Sequence, residues 1–385
     1  MKIKRDIAGS ILETLPKYPV IALTGPRQSG KTTLLKDMLS EYNYVSLENP
    51  DNREFAANDP NGFLSVYNSK VIIDEAQRVP SLFSYIQSIV DESGQMGQFI
   101  LSGSQNFHLM QEISQSLAGR VAIFRLFPFD FQEMKGSGIL HEEYLTNLIT
   151  GFYPAIYDRG IKPSTYYSNY IQTYIQRDVS ELIEIKNQSL FKRFIGILAT
   201  RAGQLLNMNA IANECGISQP TVKSWLSALE SSYIIFLLQP YHENFGKRLV
   251  KTPKLYFYDS GLLSYLLRIK ASQELYTHSI KGNLFENMII AELLKRMHHK
   301  NEMIDIWFWR DSKGNEIDLL YHISQTIYIT EIKANQTIMQ NQFKGLNYYE
   351  KYVNQKDMVK QLVYAGEENQ ERKQGKVIPW NNELF

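Results

Sequence analysis

The chain has 385 residues, 44% hydrophobic and 21% charged, the balance of a water-soluble protein too long for one ordinary core. Its 41 Lys and Arg nearly cancel 40 Asp and Glu, so no global basic field marks a nucleic-acid binder, and any such contact must come from a local patch. The single cysteine, Cys215, excludes a disulfide framework and points to a reducing compartment.

Met1 to Leu15 alternates charged and apolar residues and lacks the hydrophobic region of a signal peptide. The longest strongly apolar run, Tyr233–Leu238, is far short of a membrane span, so a cytoplasmic protein without a membrane partner is expected. Pro19–Thr24 is the short apolar run of a buried parallel strand. It leads into Gly25-Pro26-Arg27-Gln28-Ser29-Gly30-Lys31-Thr32-Thr33, which matches G-x-x-x-x-G-K-[ST]. Helical spacing of Leu34, Leu35, Met38 and Leu39 follows. The glycines let the backbone curl so that successive N–H groups face phosphate oxygens, and the helix N-terminus adds its positive dipole end. Lys31 is expected to reach the β- and γ-phosphates of ATP and Thr32 to ligate Mg²⁺.

Lys70–Asp74 is a second apolar run, ending in Asp74 and Glu75. Acidic residues at the carboxyl end of a strand lie where an open α/β sheet binds its ligand. Asp74 is therefore expected in the Mg²⁺ shell, and Glu75 as the group that polarises the attacking water. A third run, Gln98–Leu101, ends in Ser102-Gly103-Ser104-Gln105, where Ser104 or Gln105 would sense the γ-phosphate. Val121–Phe127 reads as a further strand. Arg120 and Arg125 are candidates for neutralising transition-state charge, in cis or from a neighbouring subunit, or else are surface arginines at a strand end.

Together the phosphate loop, Ile72-Ile73-Asp74-Glu75-Ala76-Gln77, Leu101–Gln105, Leu117–Arg120 and Arg125–Phe129 resemble the AAA+ class of ATPases. More narrowly, the chain resembles a family of bacterial and archaeal ATPases with a C-terminal domain of unassigned role. The likeness continues through Tyr174–Val179, Lys251–Lys254 and Tyr256–Gly261. The resemblance implies ATP binding and leaves the biological task open.

From Glu142 the strand signal gives way to helical spacing of Tyr166, Tyr170, Ile171, Tyr174, Val179 and Leu182, expected to form a helical lid over the nucleotide. Arg177 either projects from it to the nucleotide or pairs with Asp178. Asn209–Glu214, Cys215–Ser218 and Gln219–Ser231 read as helix, tight turn, helix, with Ser218 as N-cap and Val222, Leu226 and Leu229 buried. With strands at Tyr233–Tyr241 and Leu249–Tyr258, the expectation is a winged helix. It would place Lys247, Arg248, Lys251 and Lys254 on DNA phosphates, or else serve only for packing.

Asn283–Met297 is helical, with Glu286 on the stripe of Ile290, Leu293 and Met297. A carboxylate there costs free energy unless it is paired or bound to metal. Strands are expected at Asp305–Trp309, Glu316–Tyr321 and Ile327–Lys333, the last placing Glu331 and Lys333 on one face. A helix carboxylate, a strand Asp and a strand Glu-x-Lys resemble the restriction-endonuclease-like PD-(D/E)xK fold. That likeness implies Asp318, Glu331 and Glu286 around Mg²⁺ and Lys333 on the attacking water.

The fold class expected is α/β: a P-loop AAA+ core over residues 1–135, a helical lid over 136–200, a winged helix over 201–258 and a nuclease-like domain over 259–385. Two functions are consistent with it. One is an ATP hydrolase that processes DNA or RNA; the other is an ATP-dependent switch acting on a protein partner. Either could work as an oligomer.

Overall fold

The computed structural model describes residues 3–104, 113, 115–179, 187–241, 251–302, 304–353 and 357–384, with residues 176–178 as backbone only. Five short strands form the first sheet: β1 (Val20–Thr24), β2 (Asn43–Ser46), β3 (Val71–Asp74), β4 (Phe99–Ser102) and β5 (Val121–Arg125). All pairings are parallel, in the order β2-β3-β4-β1-β5. Every residue of β1, β3 and β4 is buried, as continuous apolar runs require when both faces are covered. Because side chains alternate along a strand, Val20, Ala22, Ile73 and Leu101 meet Phe63, Phe83 and Ile86 on one face. Ile21, Leu23, Ile72 and Ile100 meet Ile7, Ile11, Leu34 and Leu35 on the other.

The segment expected to be a lid contains helices Tyr144–Thr150, Pro154–Asp158 and Pro163–Tyr170, the last running into a wider π-type stretch, Ile171–Val179. Its anchor is the buried Asp259, which accepts from the Tyr167 hydroxyl (2.6 Å) and the Phe152 N–H (2.9 Å). Asp259 also caps helix Ser260–Leu266 through the Leu262 N–H.

Helices Gln188–Thr200, Met208–Cys215 and Gln219–Ser231 follow. The left-handed Gly216 (φ 72°) ends the second, and Ser218 caps the third by accepting from Thr221 N–H. Val222, Leu226 and Leu229 are buried and Gln219, Lys223, Ser224 and Ser227 exposed, as the sequence pattern requires. Trp225 adds to that core, edge-on to Phe191 and Phe194 at 5.2 Å. β6 (Ile235–Leu238) and β7 (Lys254–Phe257) pair antiparallel. Past β6, Tyr241 N–H donates to the Phe308 carbonyl (2.7 Å), which joins this ribbon to the last sheet.

That sheet has six strands: β8 (Ile306–Arg310), β9 (Glu316–Ile323), β10 (Thr326–Lys333), β11 (Met358–Tyr364), β12 (Gln370–Arg372) and β13 (Gly375–Pro379). Their order is β12-β13-β11-β10-β9-β8, with β10, β11 and β13 parallel and the rest antiparallel. The long helix Lys281–Lys300 lies between the two sheets' ends, and one apolar cluster runs from Phe129 through the middle helices to Trp380. Among the described residues no helix is long and apolar enough to cross a membrane.

Candidate functional site

β1, β3 and β4 are parallel and in register, so their carboxyl ends bring the phosphate loop, Asp74 and Ser102 to one edge of the sheet. The loop leaves β1 at Gly25, whose φ of 142° favours glycine; a Cβ there would lie 2.1 Å from the Leu126 carbonyl oxygen. It closes at Gly30 (φ 96°), and helix Lys31–Met38 begins at once. Lys31 Nζ folds back onto the Gly25 and Pro26 carbonyls, both at 2.9 Å, so it spans the mouth of the loop. Burial pushes its ammonium down to about 8, partly opposed by Glu75 and Asp74. The Ser29 hydroxyl is buried and meets no acceptor or donor among the described residues.

Thr32 Oγ1 donates to Asp74 Oδ2 (2.9 Å), which also accepts from the Tyr44 hydroxyl (2.7 Å). Ser102 Oγ holds the other oxygen at 2.5 Å. The Thr32–Asp74 pair is thus fixed in place, and its hard oxygens suit Mg²⁺. Glu75 adopts a left-handed backbone (φ 55°), rare for a non-glycine residue and a strain that functional sites tend to carry. Its carboxylate accepts from Gln77 Nε2 (2.5 Å) and the buried Ser104 hydroxyl (3.3 Å). Of the two sensor candidates, Ser104 reaches Glu75, and Gln105 lies outside the described residues. Arg27 faces Glu48 (3.6 Å) and the Tyr174 ring (5.8 Å). Pro26, Gln28 and Thr33 complete the loop and the first helical turn; Gln28 takes φ 63°.

Arg120 lies at a strand end, the second of its two expected placements. Its carbonyl pairs with Val20 N–H at the amino end of the sheet, and its guanidinium binds Asp91 (2.5 and 2.8 Å), so it cannot reach its own chain's phosphate loop. Arg125 instead lies level with Thr24 at the carboxyl edge. The side chain of Arg177 lies outside what is described, as do Lys247 and Arg248. Sequence reasoning missed Arg5, Tyr44 and Tyr233. Tyr233 meets the Thr24 hydroxyl at 3.0 Å, immediately before the loop. Among the added contacts, Ser102 and Gln77 lay inside motifs already singled out.

The C-terminal constellation also assembles, in a closed form. The β9–β10 register places Asp318 opposite Glu331, one position beyond Leu319–Thr330. Lys333 Nζ binds Asp318 (3.0 Å) and Glu331, and Ile332 N–H donates to Asp318 (2.8 Å). Glu331 abuts Gly345, where a Cβ would fall 2.0 Å from its oxygen. Burial, together with the Asp318 charge, pushes Glu331 up to about 8 against the pull of Lys333.

Lys254 is the correction to the DNA-contact reading. It is only 2% exposed, and its ammonium binds Glu286 (3.0 Å) and Glu316, so no phosphate backbone can reach it. Tyr256 donates to the same Glu286 oxygen at 2.5 Å. The Asp318 charge also acts on Glu286, and both carboxylates act on Lys254. Among the described residues the only trio of metal-type ligands within 4.8 Å of one another is Asp130, Glu133 and His299. The C-terminal carboxylates suit Mg²⁺ by chemistry, and in this arrangement Lys254 and Lys333 pair with them. The trio at Asp130 is also committed. His299 Nε2 accepts from Phe127 N–H (3.2 Å), its Nδ1 meets Asp130 (2.8 Å), and Arg5 and Arg296 supply the positive charge.

Residues 17–135 match the family described as AAA domain. Residues 141–273 and 281–382 match two domains of unknown function, DUF8612 and DUF4143. The phosphate loop therefore belongs to an AAA-type P-loop ATPase domain, and the nuclease-like and winged-helix readings remain outside what these matches describe. Two uncharacterized proteins, Mb2031c of Mycobacterium bovis and Rv2008c of Mycobacterium tuberculosis, are each 31% identical over 337 residues, 87% of this chain and 74% of theirs. Among solved structures, the Walker-type ATPase PABY2304 of Pyrococcus abyssi aligns with a TM-score of 0.45 at 16% identity, over 68% of this chain and 95% of that one. AMPPCP-bound DnaA from Aquifex aeolicus aligns at 0.30 and 15%, over 58% and 86%. The chain, whose AAA domain leads into two domains of unknown function, belongs to the family of the two mycobacterial proteins.

Proposed function

We propose that this chain binds ATP at Gly25–Thr33, hydrolyses it, and uses the cycle to act on nucleic acid through its middle and C-terminal units. The observation that carries the hydrolase reading is the shared edge of the sheet. There, a glycine loop at a helix N-terminus faces Lys31, the Thr32–Asp74 pair, and Glu75 held by Gln77 and Ser104. Backbone N–H groups and Lys31 bind the triphosphate, and Glu75 takes a proton from the water that attacks the γ-phosphorus while the bond to the β–γ bridging oxygen breaks and ADP leaves. Thr32 and Asp74 would hold Mg²⁺, which supplies charge neutralisation on the phosphate oxygens.

The nucleic-acid part rests on the exposed polar face of helix Gln219–Ser231 beside the β6–β7 ribbon. A specific observation favours a second reading, an ATP-dependent switch acting on a protein partner: Lys254 and Lys333 already neutralise the C-terminal carboxylates. ATP turnover by the wild type, with Glu75→Gln as the inactive control, separates these readings. Salt-sensitive stimulation by duplex or single-stranded DNA supports the first. Turnover indifferent to every nucleic acid supports the second, and absence of Mg²⁺-dependent turnover overturns the hydrolase reading.

A further inference from the structure

Arg5 precedes the first strand by fifteen residues and belongs to no motif, yet it is 6% exposed and lies against the phosphate loop. Its Nη1 donates to the Ser29 carbonyl (2.9 Å), its Nη2 to the Phe127 carbonyl (2.6 Å) and its Nε to Glu133 Oε1 (2.9 Å). The Phe129 ring packs 4.9 Å from the guanidinium carbon. Three acceptors on three different segments are therefore held by one rigid fork, a task a lysine ammonium cannot perform with the same geometry.

The direction of these bonds matters. A trans peptide is planar, with its carbonyl and its N–H on opposite sides. Arg5 captures the Ser29 carbonyl, so the N–H of the same peptide unit, that of Gly30, points away from the guanidinium. Gly30 N–H is one of the donors a phosphate loop offers to its ligand. The second arm of the fork holds Phe127, next to Leu126, whose carbonyl oxygen forms the wall against which Gly25 is packed. One guanidinium thus ties the closing end of the loop to the wall behind its opening end.

Arg5 is itself kept in place by an enclosed network. Glu133 accepts from the Asp6 N–H (3.0 Å) and the Asp130 N–H (3.2 Å), and Asp130 accepts from Glu133 N–H (2.9 Å) in a capping box. Asp130 meets His299 on the long helix Lys281–Lys300, and His299 returns to Phe127. Burial alone would raise the Asp130 carboxyl, but the His299 hydrogen bond, the Glu133 N–H and the Arg296 charge hold it well below the usual range. The fork is therefore anchored to a fixed, ionised support, not to solvent.

We infer that Arg5 is a positioning residue for the triphosphate: it sets the Ser29–Gly30 peptide so that Gly30 N–H faces the phosphates before ATP arrives. This rests on the reading of Gly25–Thr33 as an ATP site. Because the guanidinium is turned to carbonyls and Glu133, it acts through the loop and does not touch the ligand.

The test is titration of a fluorescent ATP analogue, with steady-state ATP turnover, on full-length wild type, Lys31→Ala, Arg5→Ala and Arg5→Lys, all held below their melting midpoints. Arg5→Ala is expected to raise both Kd and KM about tenfold while kcat changes less, since a loop that must reorganise weakens ground-state and transition-state binding alike. Arg5→Lys should recover part of the loss. A folded Arg5→Ala protein with lowered melting midpoint but unchanged Kd and KM overturns the inference, because a purely structural arginine would do that. Should Arg5→Ala fail to fold, Arg5→Lys decides alone, an unchanged Kd counting against the inference. A wild type that binds the analogue no better than Lys31→Ala overturns the ATP-site reading, and this inference with it, whereas tight wild-type binding indifferent to Arg5 overturns the inference alone.

Discussion

At the phosphate loop Lys31 faces neutral backbone, whereas in the C-terminal cluster Lys254 and Lys333 are already paired with carboxylates. Among the described residues Lys31 donates only to the Gly25 and Pro26 carbonyls, bonds that an incoming phosphate replaces with stronger charge-assisted ones. Lys254 and Lys333 instead share Glu286, Glu316, Asp318 and Glu331. A divalent cation entering there must first displace an ammonium from a buried pair, which costs the ammonium its only compensation for lost solvation. Similar residue types thus make an open anion site in one region and a self-neutralised one in the other. The lesson is that the partner of each charge decides whether a site is ready for a ligand.

The comparison breaks most visibly at Glu75. Glu75→Gln should lower ATP turnover by roughly 10²–10⁴-fold while leaving analogue binding nearly intact, as removal of a general base does. Turnover that survives the substitution would mean that another group activates water. At the other centre, Lys254→Met leaves Glu286 without its cation and Glu316 with Arg310 alone, and breaking such a buried pair typically costs about 3–5 kcal/mol. Chemical denaturation should register that loss. Added Mn²⁺ should then restore stability to the variant and not to the wild type; equal stabilisation of both would show that the cluster is as open as the phosphate loop.

A smaller effect is expected at Gly345. Its Cα hydrogen faces Glu331, so Gly345→Ala forces the carboxylate aside, and overpacking of this kind costs about 1–3 kcal/mol. The loss should shrink in a Glu331→Ala background if that contact is its cause.

The smallest effect is one of pH. Burial brings the Lys31 ammonium to about 8, so as pH rises through that value the nucleotide-free protein loses the charge that draws phosphate. ATP affinity should fall several-fold between about pH 7 and 9, each pKa unit corresponding to about 1.4 kcal/mol. Lys31→Arg should flatten the dependence. Stability moves in the opposite direction. The unfolded chain retains the Lys31 proton up to the ordinary lysine range and the folded one releases it earlier, so this group favours folding increasingly as pH rises above about 8.

What could be read in the sequence was what is local. Gly25–Thr33 is one short segment whose glycines, helix start and lysine are set by neighbours in the chain, so its spacing alone specified the loop. Burial on both faces made β1, β3 and β4 continuous apolar runs, and that carried Asp74 and Glu75 to the correct edge. Helix Gln219–Ser231 could be read to the residue because its cap, its turn glycine and its apolar stripe are all periodic features. Glu286 announced itself as a carboxylate on an apolar stripe, although what neutralises it did not.

Everything decided by tertiary structure joins segments far apart in the chain. Arg5 reaches Glu133 across 128 positions, Tyr233 reaches Thr24 across 209, and Lys254 reaches Glu286 across 32. For Arg120 the sequence left two places open, the nucleotide or a strand end, and strand direction put it at the end of the sheet opposite its own chain's phosphate loop. Hydrogen bonds and ion pairs depend on ångström-scale approach, which spacing along a chain encodes only within a helix, a strand or a turn. The sequence by itself therefore determined which groups were present and how each element formed, and the packing of those elements determined which charge met which partner.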